Sequence, residues 1–359
     1  MAEKINVGVY GARGYVGGEL CRLLLNHKHV GKIFPSSGEV EDFNRVHPNL
    51  NGCGLEFVRH SDLEDKVDLD VVFLSVPSGE SMKVAPKFWN KGVSVIDLGS
   101  DFRLNKETYE NVYGKEHTAP ELLEKTVYGV TELNRERIRN ARLIANPGCY
   151  VITGLLGLYP LLKEGMIELR HIPINAINGM TGADSKPSRD TMQTRVSKNI
   201  LSYNMEGHRH SGEFEEKIAE ISGYKPTVNF NAAHGDFTTG IHLVASPLVK
   251  LEYRDRLTRE SLLAIYAKYY EDEEFIRVIT REKKSAGIEK VYDVYPQVRN
   301  IRGTNYCDIG LDYDRERGIV KVIAVADNLV RGSAGSAIQN MNVMMGFNEG
   351  EGLRLYSSP

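Results

Sequence analysis

Cys149 is the residue of this chain best placed for covalent chemistry. It sits in Asn146-Pro147-Gly148-Cys149-Tyr150, between a short apolar run at 141–145 and a long one at 151–162. The first run reads as a strand and the second as a buried helix, with Pro147-Gly148 forcing a sharp turn between them. A thiol at such a corner meets unpaired backbone N–H groups and the positive end of a helix dipole, which favour the thiolate. The competing reading is a small buried hydrophobe.

Two histidines could move protons for it. His208 and His210 flank Arg209 directly after Gly207. In an extended segment both imidazoles face one way and the arginine the other, so both are acid/base candidates. His234 and His242 lie further on and stay unassigned. Arg103, at the end of a strand pattern, is the candidate for holding a phosphate, against the plain alternative of a surface ion pair. Arg189, Arg195 and Lys198 form a basic cluster suited to a substrate carboxylate or to a docking protein; a solvated face is the default for such a cluster.

A second kind of chemistry is written near the N-terminus. The strand pattern 4–10 runs into Gly11-Ala12-Arg13-Gly14-Tyr15-Val16-Gly17, and a helical pattern follows. Glycines between a strand and a helix let backbone approach a pyrophosphate, which rests on the helix N-terminus. The next strand pattern ends near Pro35-Ser36-Ser37-Gly38, where an NAD-specific site places an acid. Two serines there can donate to a 2′-phosphate, so NADPH is the expected cofactor, although Glu39 and Glu41 follow closely.

These residues need elements to carry them. Strand patterns at 69–76 and 93–98, joined by a helical stretch 80–90, continue the alternation of strand and helix, which predicts a doubly wound parallel sheet. Gly11, Ser36, Pro77, Gly99 and Cys149 all follow strands and should line one edge of it. Beyond Cys149 the period changes to two, at 171–177, 240–245 and 319–325, which predicts a largely antiparallel sheet with helices on one face. A helix is expected at 257–270, and a last one at 332–345. The expected fold class is thus α/β: a Rossmann-type doubly wound parallel sheet, plus an α+β domain with a mainly antiparallel sheet.

Composition excludes several classes. A net charge of −3 over 359 residues gives no basic excess for nucleic acid. No apolar run approaches a membrane span, and no signal-peptide pattern opens the chain. Cys21, Cys53, Cys149 and Cys307 are far apart, without zinc-ligand or redox spacing. That argues against a metal site or a disulfide framework and fits a reducing, cytoplasmic home.

Five motifs, in order and spanning most of the chain, carry a resemblance: Gly11–Leu20, Val95–Arg103, Asn146–Tyr150, Gly207–His210 and Asp327–Gly332. Together they resemble the signature set of N-acetyl-γ-glutamyl-phosphate reductases, which reduce an acyl phosphate to an aldehyde with NADPH through a cysteine thioester. The resemblance implies an NADP-binding domain at 1–149, completed by the C-terminal helix within 329–359. It implies a catalytic and oligomerisation domain at 150–328, in a homodimer or homotetramer. His210 becomes the expected partner of Cys149, with His208 as substitute. Asn328 is expected on the nicotinamide amide, Asn146 and Arg189 on the substrate, and no metal is expected.

The family has two close branches. One acts on N-acetylglutamyl phosphate in arginine synthesis. The other acts on glutamate or 2-aminoadipate phosphates tethered to a small acidic amino-group carrier protein, in lysine or arginine synthesis. The C-terminal stretch Gly335–Met344 resembles the carrier-linked branch, and Val151-Ile152 stand where the arginine branch usually has Pro-Thr. Tyr150 points the other way, since the carrier branch often lacks it, and Gly182-Ala183-Asp184-Ser185-Lys186 departs from the pattern of both. The carrier-linked substrate is the expectation and free N-acetylglutamyl phosphate the alternative. From other classes, a non-catalytic NADP-binding regulator and a phosphate-independent dehydrogenase compete.

Overall fold

The structure is a computed structural model that describes residues 4–39, 41–183, 185–186, 188–281 and 292–357. Asp184, within the stretch that departs from the family pattern, lies outside them. The chain forms two compact units, one from residues up to 148 with 332–355, the other from 149–331 with the last few residues. No helix among the described residues is long and apolar enough to cross a membrane.

The first unit is built on a sheet of β1 (Ile5–Tyr10), β2 (Val30–Ser37), β3 (Val58–Arg59), β4 (Val71–Leu74), β5 (Ser94–Asp97), β6 (Thr126–Tyr128) and β7 (Leu143–Ala145). Its order is β3-β2-β1-β4-β5-β7-β6, with every pairing parallel. Strands in such a sheet are covered on both faces, which is why Val71–Leu74 and Leu143–Ala145 are apolar and buried throughout. β2 runs on through Pro35 to Ser37, further than the proline suggested. β3 begins only beside Ser36, so Pro35 has no neighbour on that edge, and the Ser36 carbonyl accepts from Gly11 and Ala12 N–H. The helix Ser81–Asn90 packs on β5, and Gly335–Met344 closes the unit against Thr131–Arg139.

The second unit holds β8 (Ile172–Asn178), β9 (Ile200–Tyr203), β10 (Val228–Gly235), β11 (Ile241–Ala245), β12 (Ile276–Val278), β13 (Cys307–Asp314) and β14 (Ile319–Ala326). They form one sheet in the order β12-β13-β14-β11-β8-β10-β9. The β12–β13 and β8–β10 pairings are parallel and the rest antiparallel. Between β8 and β10 the chain makes a long crossover through the helix Arg209–Ser222, and a parallel neighbour requires such a crossover. Alternating burial along β8 and β14 turns one sheet face to the helices.

The helix Cys149–Lys163 lies on that face against β11 and β14. Pro160 within it cannot donate to the Leu156 carbonyl, four residues back. Tyr270 supplies the missing donor at 2.5 Å, and Tyr266 donates to the Gly157 carbonyl at 2.5 Å. Both tyrosines come from the helix Arg259–Tyr270, which starts at a Thr258–Ser261 capping box. The helix that begins with Cys149 is thereby tied at its middle to the helix Arg259–Tyr270.

Candidate functional site

Cys149 is the first residue of its helix and is half-buried. Asn178, the last residue of β8, points Nδ2 at its sulfur at 3.8 Å. Thr153 returns a hydroxyl bond to the Cys149 carbonyl at 2.8 Å, fixing the first turn. The cysteine opens into a cavity of about 990 Å³ whose lining includes Tyr150, Asn178, Tyr203, His208, His210 and His234. Arg195 and Arg209 bring positive charge to the same cavity.

His208 and His210 reach the cavity by a different geometry from the extended one expected. His208 is the N-cap of Arg209–Ser222, and its Nδ1 accepts the His210 N–H at 3.1 Å. Capping wins over strand geometry because Phe214 and Ile218 must bury one helical face and the helix needs an acceptor at its start. With Nδ1 accepting, His208 carries its proton on Nε2. Burial pushes its pKa down to about 4, with the Arg209 charge adding to the effect. It is therefore a neutral cap near pH 7. His210, in the first turn, is buried with its ring centroid 4.7 Å from that of His208.

Aromatic rings pack edge-on against the two histidines, with the Tyr150 ring centroid 5.8 Å from that of His210 and the Tyr203 centroid 5.4 Å from that of His208. Tyr150 donates to the Ala233 carbonyl and accepts from Tyr203, each at 3.2 Å. Burial raises the pKa of Tyr150 strongly and pushes Tyr203 up to about 12, so both phenols keep their protons near neutrality. His234 stacks on Tyr203 at 4.6 Å and 5°, its pKa lowered by burial.

Sequence reasoning missed Asn178, Tyr203, His234 and the pocket position of Arg209. For Asn178 a signal was present: Ile172, Ile174 and Ala176 are the buried positions of β8, and the fourth in the same register is an asparagine.

Other candidates are occupied elsewhere. Arg103 donates to the Asn146 and Leu98 carbonyls at 2.8 and 2.9 Å, bracing the first unit's backbone rather than presenting a guanidinium for phosphate. Asn146, expected on substrate, donates to the Ser333 carbonyl and accepts from Ser336 and Asn340, tying its loop to the C-terminal helix. Asn328 accepts from Gly240 N–H at 2.7 Å and donates to Thr181 at 3.0 Å. Arg189 is exposed, and Arg195 reaches Asp190 at 3.6 Å.

The first unit's glycine turn suits a dinucleotide. Gly11 has φ +85°, and a Cβ there would strike the Ser75 carbonyl; a Cβ on Gly17 would lie 2.5 Å from Ala12 Cα. Gly14, by contrast, faces open space and is the N-cap of Tyr15–Leu24, whose first N–H groups no side chain caps. Backbone donors at an open helix end match a pyrophosphate. Ser36 departs from expectation: it is buried, 2.9 Å from His60 Nδ1, so it is turned inward from a 2′-phosphate. Ser37 is buried beside it, Gly38 is exposed, and the exposed Arg13 pairs with Glu39 at 3.6 Å and Glu41 at 3.2 Å.

With this geometry in hand, the chain can be compared with known proteins. Residues 6–141 match the family model described as semialdehyde dehydrogenase, NAD binding domain, and residues 149–328 the one described as semialdehyde dehydrogenase, dimerisation domain. The chain is 38% identical over 355 residues to an N-acetyl-γ-glutamyl-phosphate reductase of Geobacillus sp. strain WCH70, covering 98% of this chain and 99% of that one. It is also 38% identical over 356 residues to a putative [LysW]-L-2-aminoadipate/[LysW]-L-glutamate phosphate reductase of Nitrosopumilus maritimus, covering 98% of each. Equal identity to a protein of each kind leaves the choice between them to the chemistry of the site. Among solved structures, aspartate semialdehyde dehydrogenase II of Vibrio cholerae in complex with ASA has the same fold, with TM-score 0.69 and 19% identity over 96% of this chain and 99% of that one. The Candida albicans enzyme with NADP gives TM-score 0.66 and 14% identity over 96% and 99%.

Proposed function

The chain belongs to the N-acetyl-γ-glutamyl-phosphate reductase family, oxidoreductases of semialdehyde-dehydrogenase fold that use a nicotinamide cofactor in amino-acid biosynthesis, and we propose that it reduces an amino-blocked γ-glutamyl or 2-aminoadipyl phosphate to the semialdehyde with NADPH. The observation that carries this reading is the single cavity shared by Cys149, His210 and two arginines. A nucleophile, a proton carrier and anion-binding groups are what an acyl phosphate requires.

The Cys149 thiolate attacks the acyl carbon, the bond to the phosphate oxygen breaks, and phosphate leaves. Bound NADPH supplies the hydride that turns the thioester into a hemithioacetal. His210 takes the thiol proton at the first step, gives a proton to the carbonyl oxygen as hydride arrives, and takes it back as the aldehyde forms and the thiolate departs. The Asn178 amide, aimed at the sulfur, orients it. Arg195 and Arg209 take the substrate's phosphate and carboxylate in place of Arg103 and Asn146, with Arg189 at the rim. His208 holds the His210 turn as a neutral cap.

The substrate is presented by an acidic carrier protein. Support comes from the stretch 189–205, which lends Thr191, Arg195, Leu201 and Asn204 to the cavity lining and in which Met192, Ile200 and Met205 are more than half exposed and Arg189, Arg195 and Lys198 are exposed. Exposed apolar side chains interspersed with cations suit an acidic protein surface, and such charges act mainly on the association rate. The second unit also serves as the homo-oligomerisation domain, and the enzyme works in the cytoplasm.

A side-by-side assay tests this. Carrier-tethered phosphate should be reduced efficiently, with kcat/KM falling steeply with salt because exposed charges are screened within about 8 Å at physiological ionic strength. Efficient reduction of free N-acetylglutamyl phosphate with none of the tethered substrate assigns the enzyme to the arginine branch. Semialdehyde oxidation that ignores phosphate and arsenate, or no turnover at all, overturns the acyl-phosphate reading.

A further inference from the structure

Against the glycine turn lies a histidine that neither the motif nor the proposed chemistry uses. His47 follows the short helix Phe43–Val46 and is 8% exposed. Its Nε2 is 2.8 Å from the carbonyl oxygen of Ala12, the second residue of the turn. Only a donor satisfies a carbonyl, so the ring carries its proton on Nε2. Burial lowers its pKa and keeps it neutral near pH 7. Phe43 and Phe57 flank the ring at centroid distances of 5.0 and 6.1 Å.

Gly18, in the helix after the turn, completes the fit. A Cβ there would lie 2.5 Å from His47 Cε1 and 2.6 Å from Nδ1, so the ring occupies the space the missing side chain leaves. Gly18 is thus outside the three-glycine spacing of the motif but is required by the histidine.

We propose that His47 is a positioning residue for the cofactor's diphosphate: it clamps the Ala12 carbonyl, so that the turn and the open N-terminus of the helix that follows are fixed in place before ligand arrives. The inference rests on the reading of the first unit as the nicotinamide-cofactor domain. Preorganisation of this kind acts on affinity by removing an ordering cost from binding. One backbone hydrogen bond of net worth about 0.5–1.5 kcal/mol corresponds to about 2- to 10-fold in affinity.

The test titrates the full chain with NADPH and, separately, with 2′-AMP, which carries the 2′-phosphate but no diphosphate. His47→Phe keeps an aromatic ring and removes the donor; it should weaken NADPH about 2- to 10-fold and leave 2′-AMP unchanged. His47→Gln, which can still donate to Ala12, should restore most of the loss. Gly18→Ala should weaken NADPH in the wild-type background and do little beside His47→Ala, because the two act through one contact. Unchanged NADPH affinity in His47→Phe, an equal loss for 2′-AMP, or no recovery with His47→Gln overturns the inference. A wild-type chain that binds neither NADPH nor NADH overturns the cofactor reading itself, and this inference with it.

Discussion

The glycine turn and the cysteine corner are the same local device, a strand that stops and a helix that starts, yet they are built in opposite ways. The turn at Gly11–Gly17 works by removing side chains: backbone comes close to backbone at Gly11 and Gly17, and Gly14 stays open. The corner at Cys149 works by importing them. Asn178 arrives from β8, Tyr203 from β9, His234 from β10, and His208 and His210 from the start of a helix. One site is local in sequence and made of donors on the main chain. The other is assembled from segments up to 85 residues beyond Cys149 (149 to 234) and is made of side-chain chemistry. The turn should therefore tolerate losses in the second unit, and the corner should not tolerate loss of its one nucleophile.

The sharpest break between the two is Cys149→Ser. Reductive turnover should vanish, phosphate-dependent oxidation of the semialdehyde should vanish with it, and NADPH affinity should stay within twofold of wild type. Appreciable turnover in that variant would sink the thioester route.

Next in size comes the histidine pair. His210→Asn should slow turnover about 10²–10⁴-fold, the range of general acid–base catalysis. His208→Asn should cost far less, because asparagine is itself a good N-cap and the imidazole it replaces is neutral. The reverse ranking in steady-state kinetics would exchange their roles.

How much of this was legible follows from the same contrast. The parallel sheet, the glycine turn and the thiol corner all announce themselves through neighbours in sequence, so reading Gly11–Gly17 and Asn146–Tyr150 was enough to find them. The partners of the thiol were harder. His208 and His210 stood out as a pair, but their extended geometry was the wrong inference, because the capping need of the following helix is felt only once Phe214 and Ile218 are seen to be buried. Ser36 looked like a phosphate ligand until β2 proved to run past Pro35 and turn it toward His60. Arg103 and Asn146 carried the right chemistry, but the first unit's own backbone claims them. Tyr203 and His234 gave no local sign, since only the β9–β10 pairing brings them together, with His234 opposite Leu201.

A third prediction concerns the response to acid. Burial lowers the pKa of His208, His234 and His242 in the second unit, and of His27, His47, His60 and His117 in the first. Below pH 6.5 the unfolded chain takes up protons that these folded histidines refuse, so stability present above that pH is lost as pH falls toward the folded values. For His208, with a folded pKa of about 4, the loss approaches about 3 kcal/mol at 1.4 kcal/mol per unit. The first unit also holds Asp97, whose carboxyl burial and the nearby Asp101 push up to about 7. Its contribution has the opposite sign, present at low pH and lost as pH rises through 7. Chemical denaturation at pH 7 and pH 5 should therefore show lower stability at pH 5, and His208→Asn should make that fall smaller.

The smallest effect tests the turn alone, through the choice of cofactor. Ser36 faces inward and Ser37 is buried beside it, which leaves Arg13 and Gly38 exposed at the edge where a 2′-phosphate would lie. Arg13 pairs with Glu39 and Glu41, and those three side chains are 54%, 79% and 38% exposed. Exposed pairs of this kind are worth little, about 0–1 kcal/mol, so a phosphate dianion can displace the carboxylates at small cost. NADPH should then be preferred over NADH by at least about 10-fold in kcat/KM, or 1.4 kcal/mol. Arg13→Ala should erase most of that margin by removing a cation from the phosphate. The readout is the NADPH/NADH ratio, which a general loss of folding would leave unchanged. A ratio near one in the wild type would mean that the glutamates already govern the pocket, and a ratio unmoved in Arg13→Ala would give the phosphate to another group on that edge.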